Sequence, residues 1–381
     1  MDLTLSEEQR MIRDMARDFA EKELAPRAAG RDEKEEFPSE ALRKMGELGL
    51  LGLMVPEEYG GSLVDTVSYC LALEEIARGC AATSLIMAVH CTTGCYPLVR
   101  FGTEEQKRRY LPKLASGEWL GGFALTEPGA GSDAAAVATT AVREGDSYIL
   151  NGVKTFITSG NQARLLNVFA TVDRSKGAKG ITAFLVDTTR PGFQVDSIEK
   201  KMGMRASHTA QIVFQDYRLP VEDRLGEEGE GFKIAMVTLD AGRIGIAAQA
   251  VGIARAAFEA ARRYALERVQ FGQPIAQFQA IQWMLADMAT GIEAARLLAW
   301  SAALKKDRGE RHTKEAAMAK LFATEMASEV CDKALQIYGG YGYSRDYPVE
   351  RYLRDARVTR IYEGTSEIMR LVIANQLLRE V

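Results

Sequence analysis

The sequence predicts a mainly α-helical protein with a central β domain. Three observations indicate this: the hydrophobic period is helical at both ends of the chain, it changes to short β-rich runs in the middle, and it lengthens into very long helical runs afterwards. We therefore expect a helical N-terminal domain at residues 1–120, a middle β domain at 121–228 and a C-terminal helical bundle at 229–381.

The N-terminal region carries recognisable helix start signals. Ser6 with Gln9, and Thr103 with Gln106, have the spacing of a capping box, in which two side chains satisfy free backbone N–H groups of the first turn. We expect the second of these helices to stop near Pro112, because proline lacks the N–H that continues a helix.

Short β-rich segments define the middle region. They are separated by Gly, Asp and Asn, and their spacing favours an antiparallel sheet or barrel over βαβ units. The segments are residues 148–150, 154–158, 168–172, 181–186 and 211–214.

Long amphipathic runs follow the middle region. They cover roughly residues 230–267, 277–307 and 313–337. A run of about 30 residues spans ~45 Å at 1.5 Å per residue. Such lengths predict a four-helix-type bundle of long antiparallel helices.

Composition excludes several classes of function. The net charge of −4 lacks the basic excess of a nucleic-acid-binding domain. The five cysteines form no C-x-x-C pair and the three histidines lie far apart, so we expect neither disulfides nor a metal site. Without an Arg-rich or secretory leader or an apolar run of ~18 residues, we expect a cytoplasmic protein without membrane insertion. A trimmed mitochondrial matrix chain would look the same.

The segment 360–370, RIYEGTSEIMR, holds the strongest candidate for a catalytic residue. Glu363 stands between Tyr362 and Gly364, just before a helix that Thr365 or Ser366 can cap. A carboxylate beside a glycine can reach into a cavity and act as a general base, although an isolated Glu-Gly pair is more commonly a solvated turn. The eleven residues resemble, almost letter for letter, a motif of the acyl-CoA dehydrogenases, in which the matching Glu removes the α-proton of a fatty acyl thioester.

The resemblance covers essentially the whole chain and implies the family's fold of helices, β domain and helical bundle. It also implies FAD as cofactor, acyl-CoA as substrate and electron-transferring flavoprotein as electron acceptor. The implied reaction converts a saturated acyl-CoA to a trans-2-enoyl-CoA in fatty acid β-oxidation. The family's usual assembly is a homotetramer, a dimer of dimers in which two chains share each FAD.

Two segments resemble those that contact the flavin. By spacing alone, FALTEPGAGSD at 123–133 is a Pro-Gly turn between strands. The resemblance implies that Leu125 and Thr126 hydrogen-bond the pyrimidine side of the ring, and that Ser132 touches both FAD and the pantetheine arm of the substrate. The implied cofactor contacts of this segment are Phe123, Leu125, Thr126, Gly131 and Ser132.

The second flavin-like segment is residues 154–159. In a strand, Phe156 and Thr158 point to the same face, with Ile157 between them. Read as an ordinary strand, the segment would place Phe156 in the core. The resemblance instead implies that one side chain stacks on the ring while the other offers a hydroxyl to N5. Many family members carry Trp where this chain has Phe156.

Further implied FAD contacts come from the C-terminal region. Arg268 lies in a stretch that resembles the loop reaching the FAD of a neighbouring subunit, and its guanidinium fork suits pyrophosphate oxygens. The glycine-rich stretch after residue 336 resembles a second such segment, although on its own it is merely a helix end. The implied contacts are Arg268, Phe271, Gln279, Gln336, Gly339, Gly340, Thr365 and Glu367.

The implied substrate contacts lie on the first long helix and beside Glu363. Asp240 and Arg243 are i,i+3 neighbours, which ordinarily indicates an exposed ion pair. The resemblance implies that they contact CoA, together with Ser132, Tyr362 and Gly364. Family members acting on isovaleryl or long-chain substrates carry their catalytic Glu where this chain has Gly242. The base is therefore expected to be Glu363, which favours the straight-chain branch.

The sequence leaves several acyl groups possible as the substrate. We expect short, butyryl-type chains, with medium-chain or short branched-chain acyl-CoA, or acyl groups bound to a carrier protein, as alternatives. A glutaryl-CoA dehydrogenase would need a cation deep in the acyl pocket, whereas residues 89–97 contain no Arg or Lys. A non-catalytic helical scaffold is a different class of function, and a flavin spectrum would distinguish it.

Overall fold

The computed structural model describes residues 4–379 and confirms the order of helices, β structure and helices. The α-helices are α1 Glu7–Phe19, α2 Ala28–Lys34, α3 Ser39–Glu47, α4 Thr66–Gly79, α5 Ala81–Ala88, α6 Tyr96–Phe101, α7 Glu104–Ala115, α8 Gly231–Glu267, α9 Gln279–Asp307, α10 Thr313–Tyr338, α11 Val349–Thr359 and α12 Ser366–Leu377. The strands are β1 Gly121–Ala124, β2 Thr140–Glu144, β3 Ser147–Thr158, β4 Leu165–Thr171, β5 Ile181–Asp187, β6 Phe193–Ile198, β7 Thr209–Pro220, β8 Arg224–Leu225, β9 Val269–Gln270 and β10 Gln273–Pro274.

Both predicted capping boxes are present at the N-terminal helices. Ser6 accepts a hydrogen bond from the backbone N–H of Gln9, and Thr103 accepts one from that of Gln106. The expected stop near Pro112 is wrong, because α7 continues through this residue to Ala115. A proline removes one backbone donor, and the buried apolar face of the last turn is sufficient to hold the helix there.

The sheet is mixed. Its strand order is β6-β7-β3-β2-β4-β5-β8, and β1 pairs with β4 off this path. β1 runs parallel to β4, with Gly121 opposite Leu165, and β2 meets β4 in parallel at Thr140 and Thr171. The prediction of a purely antiparallel sheet is therefore wrong at these two pairs, and within residues 4–379 the strands do not close into a barrel.

The C-terminal bundle is built around α8. α8, α9 and α10 agree closely with the three predicted long runs, and α8 packs against α4, α9 and α10. Glycines on α8 allow close approach: a Cβ at Gly252 would lie 2.3 Å from the carbonyl oxygen of Glu74 on α4. Helix α8 is thus held tightly by its neighbours.

Buried ion pairs join the N-terminal helices to the bundle. Glu74 of α4 binds Arg255 of α8 at 2.7 Å and Arg296 of α9 at 2.9 Å. We propose residues 120 and 228 as domain limits, since β1 begins at Gly121 and α8 at Gly231. The first and third domains nevertheless share one core.

Two helical stretches, Ala81–Phe101 and Gly231–Glu267, are long and apolar enough to span a membrane, contrary to the sequence-based expectation. However, 89% and 78% of their apolar windows are buried inside the fold. Both are core segments of this structure, since a buried core helix meets the same criterion as a membrane span.

Candidate active site

Glu363 lies in a strained turn between two helices. α11 ends at Thr359, and Thr365 caps α12 by accepting a hydrogen bond from the N–H of Ile368. Glu363 has a φ of +52° and Gly364 a φ of +100°. The left-handed conformation costs a residue with a Cβ about 1–2 kcal/mol. The chain therefore maintains this geometry at Glu363 against a local preference, as is common at functional sites.

The carboxylate of Glu363 is buried against α8. Both of its oxygens are shielded from solvent, and neither has a hydrogen-bond partner among residues 4–379. A Cβ at Gly242 would lie 2.2 Å from the Oε2 atom of Glu363. Gly242 thus provides the space that the carboxylate occupies, a contact that the sequence did not predict.

Two buried cations hold the turn. Arg243 donates from Nε to the carbonyl oxygen of Glu363 at 3.4 Å, and Lys320 of α10 donates from Nζ to the carbonyl oxygen of Gly364 at 2.8 Å. Burial raises the pKa of Glu363 to about 7, and the charges of Arg243 and Lys320 oppose this increase. A carboxyl group with such a pKa exchanges protons readily near neutral pH.

Asp240 and Arg243 form their bonds within the chain. Arg243, only 4% exposed, pairs with Asp240 at 2.8 Å, and Asp240 also accepts a hydrogen bond from the hydroxyl of Thr313 at 2.6 Å. The guanidinium of Arg243 is therefore directed at the turn and at Asp240. Contact of either side chain with CoA stays a proposal.

The α8 face that contains Gly242 contacts two tyrosine side chains near the Glu363 turn. A Cβ at Gly245 would lie 2.6 Å from the hydroxyl of Tyr69, which is buried without a hydrogen-bond partner among the described residues. Tyr362 donates its hydroxyl to Oε1 of Gln249 at 2.5 Å. Tyr69, Gln249 and Lys320 were not predicted from the sequence. The sequence contains one signal for this face of α8: the spacing of Gly242, Gly245 and Gln249 places the three residues on the same side of a helix.

A buried ion pair holds the first flavin-like segment in place. Lys154 is fully buried and donates to the carbonyl oxygen of Leu125 at 3.1 Å and to the carboxylate of Glu127 at 2.7 Å. The carbonyl oxygen of Thr126 accepts a bond from the N–H of Thr155 at 3.0 Å. The structure thus brings the two flavin-like segments side by side.

The second flavin-like segment contains a β-bulge that the sequence did not predict. Phe156 has a φ of +57°, and the register of β3 against β7 shifts between Lys154 and Ile157. As a result, Phe156 is 64% exposed while Ile157 is buried and Thr158 is half-buried. An exposed aromatic ring on a bulge can stack on a planar ligand.

A cavity of about 540 Å³ lies at the end of α8. Its lining consists of Tyr264, Arg268, Gln270, Ile275, Ile337, Tyr338, Gly339, Gly340 and Tyr341. Arg268 forms no ion pair with a carboxylate within residues 4–379, and a Cβ at Gly339 or Gly340 would meet no atom within 4 Å. A cation without a counterion, open backbone and aromatic walls fit the diphosphate and adenosine parts of FAD.

The remaining predicted FAD contacts lie at the surface. Phe271 is 94% exposed at the tip of the β9–β10 hairpin, where Phe271 and Gly272 take the positive φ angles that a two-residue turn requires. The other exposed residues are Gly131, Ser132, Gln279, Gln336 and Glu367, while Phe123 and Thr365 are half-buried. The structure therefore groups Arg268, Gly339 and Gly340, and separately Leu125, Thr126 and Phe156. No residue of the β domain lines the cavity.

Family models match all three parts of the chain. The acyl-CoA dehydrogenase N-terminal domain matches residues 6–118, the middle domain residues 122–217 and the C-terminal domain residues 229–378.

Individual proteins are similar over their full length. The short-chain specific acyl-CoA dehydrogenase of Clostridium acetobutylicum is 50% identical over 380 residues, covering 100% of both chains. The structure of butyryl-CoA dehydrogenase from Megasphaera elsdenii superposes with a TM-score of 0.98 at 47% identity, again over 100% of both chains. A chain from structural work on the electron transferring flavoprotein of Acidaminococcus fermentans, concerned with flavin-based electron bifurcation, gives a TM-score of 0.98 at 52% identity and the same coverage.

The raised pKa of Glu363 predicts an unusual pH dependence of stability. In the folded protein this carboxyl holds its proton up to a pKa of about 7, against an ordinary value of 4.5. The stability of the neutral form is complete below pH 4.5 and is lost as the pH rises through 7. Glu363→Gln, which is neutral at every pH, should therefore be more stable than the parent at pH 8 by on the order of 3 kcal/mol.

Thermal unfolding of both proteins between pH 4 and pH 8 checks this expectation. The difference in Tm should be close to zero at pH 4, should grow as the pH rises to about 7, and should level off above that. A difference that is the same at all pH values, or that favours the parent at pH 8, would show that burial does not raise the pKa of Glu363.

Proposed function

Because the chain belongs to the acyl-CoA dehydrogenase family, we propose that it oxidises short straight-chain acyl-CoA thioesters to trans-2-enoyl-CoA, with FAD as cofactor. The observation that supports this best is the carboxylate of Glu363, which is buried without a partner and faces the space left by Gly242. Such a group can remove a proton from a bound carbon acid, since no hydrogen bond within the protein has to be broken first.

Glu363 removes the α-proton of the thioester and holds it on a carboxylate oxygen. The proton becomes acidic enough only if the thioester carbonyl accepts hydrogen bonds as negative charge develops on its oxygen. The backbone N–H of Glu363 has no acceptor within residues 4–379, so it is free to donate to that oxygen. The residue would then supply both the base and part of the oxyanion stabilisation.

FAD, when bound, supplies the acceptor for the β-hydrogen, which leaves the substrate as a hydride. Arg268, Gly339 and Gly340 would hold the diphosphate part of the cofactor in the cavity that they line. Leu125 and Thr126, kept in place by Lys154, would hold the pyrimidine edge of the ring, and Phe156 would stack on it.

The proposed preference for short straight acyl chains is supported by the residues on the face of α8 that lies near Glu363. Gly242 carries no carboxylate, and Gly245 and Gln249 lie beside the side chains of Tyr69, which is buried, and Tyr362, which is half-buried. These aromatic groups limit the room beyond Glu363. The identity of 50% to a short-chain specific enzyme supports the same choice over medium-chain, short branched-chain and carrier-protein-bound substrates.

The electron acceptor, the assembly and the cellular location are further parts of the function that we infer. The reduced enzyme passes its electrons to electron-transferring flavoprotein. The support for this acceptor is the 52% identity to a chain from structural work on such a flavoprotein. The exposed hairpin tip at Phe271 and the cavity at Arg268 suit a homo-oligomer, a dimer of dimers, in which each FAD is shared between chains. The bacterial relatives, at about 50% identity, support a cytoplasmic location, and relatives named as mitochondrial, at 53% identity, leave a mature matrix form as the alternative.

The direct test of the function is reduction of the bound flavin by acyl-CoA substrates of increasing length. We expect the purified protein to be yellow, to be bleached fastest by butyryl-CoA, and to react more slowly as the chain lengthens. Glu363→Gln should retain FAD and bind butyryl-CoA but lose bleaching by about 10³-fold. Undiminished bleaching by this variant would exclude Glu363 as the base.

Gly242→Ala tests whether the space beside the carboxylate is required. The new methyl group would lie 2.2 Å from Oε2 of Glu363, so the flexible side chain should swing away from its position. We expect the rate of flavin reduction to fall by at least about tenfold while Tm changes little, because only a side-chain end has to move. The matched control is Gly30→Ala, where an added Cβ meets no atom within 4 Å. Equal rates for the two variants would contradict the role of Gly242.

Arg268→Ala tests the shared cofactor site. Loss of the guanidinium should lower the flavin content of the purified protein and weaken the oligomer at the same time, as measured by absorbance and analytical ultracentrifugation. Arg218→Ala, which removes an exposed side chain of the β domain, is the control. A full complement of FAD in Arg268→Ala would count against a diphosphate contact at this residue.

A further inference from the structure

Lys320 is a buried lysine for which the mechanism above has no use. Its side chain is 0% exposed on α10, and its ammonium group donates to the carbonyl oxygen of Gly364 at 2.8 Å. It forms no ion pair with a carboxylate among residues 4–379. Burying a charged ammonium costs several kcal/mol unless another charge compensates for it.

The other charges near Lys320 already have partners. Arg243 is neutralised by Asp240 at 2.8 Å, and Glu325 by Arg360 at 2.7 Å. Glu367 is exposed to solvent, which screens its charge. By elimination, the carboxylate of Glu363 is the charge that compensates for Lys320.

The converse holds for Glu363. Its oxygens have no hydrogen-bond partner among the described residues, and a buried carboxylate in that state would remain protonated without a nearby positive charge. The charged and titratable groups that face it are Arg243 and Asp240 from α8, Lys320 from α10, Tyr69 from α4 and Tyr362 from its own turn. Arg243 is paired with Asp240, and both phenols are neutral at physiological pH. Among the residues that the structure describes, Lys320 is therefore the cation of the site that has no carboxylate bonded to it.

We propose that Lys320 is a positioning residue of the active site, which fixes the turn at Gly364 and keeps the Glu363 carboxylate ionised at neutral pH. The inference rests on the proposed function, because it assigns a role toward the base of that reaction. Burial lowers the pKa of Lys320 to about 8, and the nearby Glu363 carboxylate opposes this decrease, so the lysine is charged at neutral pH.

The experiment is the pH profile of flavin reduction by butyryl-CoA in the holoenzyme and its variants. Lys320→Met removes the charge and the donor, and Lys320→Gln removes the charge alone. In both, we expect the apparent pKa of the base to rise by about one unit or more. The rate at pH 6 should then fall at least about tenfold, while the rate at high pH should stay within a few-fold of the parent. If Lys320→Met does not fold, Lys320→Gln still tests the effect of removing the positive charge.

Two controls separate charge from packing. Lys320→Arg keeps the charge and should keep the apparent pKa of the base near that of the parent. Lys333→Met removes a more exposed lysine of the same helix, which pairs with Asp287 at 3.1 Å, and should leave the profile unchanged.

A second readout does not depend on turnover. The difference in Tm between Glu363→Gln and its parent should become larger, and should level off at a higher pH, in the Lys320→Met background than in the natural background. This follows because removal of the positive charge raises the pKa of Glu363 in the folded state.

Three outcomes would overturn the proposal: an unchanged apparent pKa in Lys320→Met and Lys320→Gln, an equal loss of rate at every pH, or a shift in Lys320→Arg as large as in Lys320→Met. If the parent enzyme is not reduced by any acyl-CoA, the proposed function fails instead. The Tm comparison then still decides whether Lys320 controls the ionisation of Glu363.

Discussion

A base for a weakly acidic carbon must be shielded from water and yet carry a negative charge, and these two requirements oppose each other. Burial favours the neutral carboxyl, whereas proton removal needs the carboxylate. At Glu363 the positive charges of Arg243 and Lys320, which donate to the backbone carbonyl oxygens of the turn, oppose the effect of burial. The resulting pKa of about 7 leaves a substantial ionised fraction at neutral pH. Much of the surrounding structure serves to keep this arrangement in place.

Three elements contribute to it. The cap at Thr365 and the left-handed backbone at Glu363 set where the carboxylate lies, and Gly242 of α8 leaves it room. α8 can serve as a fixed wall because α4, α9 and α10 pack around it and ion pairs at Glu74 join those helices. A long helix held from several sides moves little, so small gaps on its surface keep their shape.

The sequence predicted the long helices, a helix cap at Thr365 or Ser366 and Glu363 as the candidate base, because each depends on local pattern or on a motif. It did not predict the parallel pairing of β1 with β4 or the bulge at Phe156, which depend on contacts between distant segments. The burial of Lys320 was not predicted for the same reason, since it also depends on contacts between distant segments. A lysine within an amphipathic helix ordinarily faces solvent, and only the packing of α10 beneath the turn buries it.

The central claim, that Glu363 removes the α-proton, is tested most directly by exchange of that proton with solvent. The protein is incubated with butyryl-CoA in D₂O, and deuterium at the α-carbon is followed by NMR. We predict that the natural protein catalyses the exchange and that Glu363→Gln does so about 10²–10⁴-fold more slowly. Equal rates of deuterium uptake in the two proteins would contradict the account, because another group would then be removing the proton.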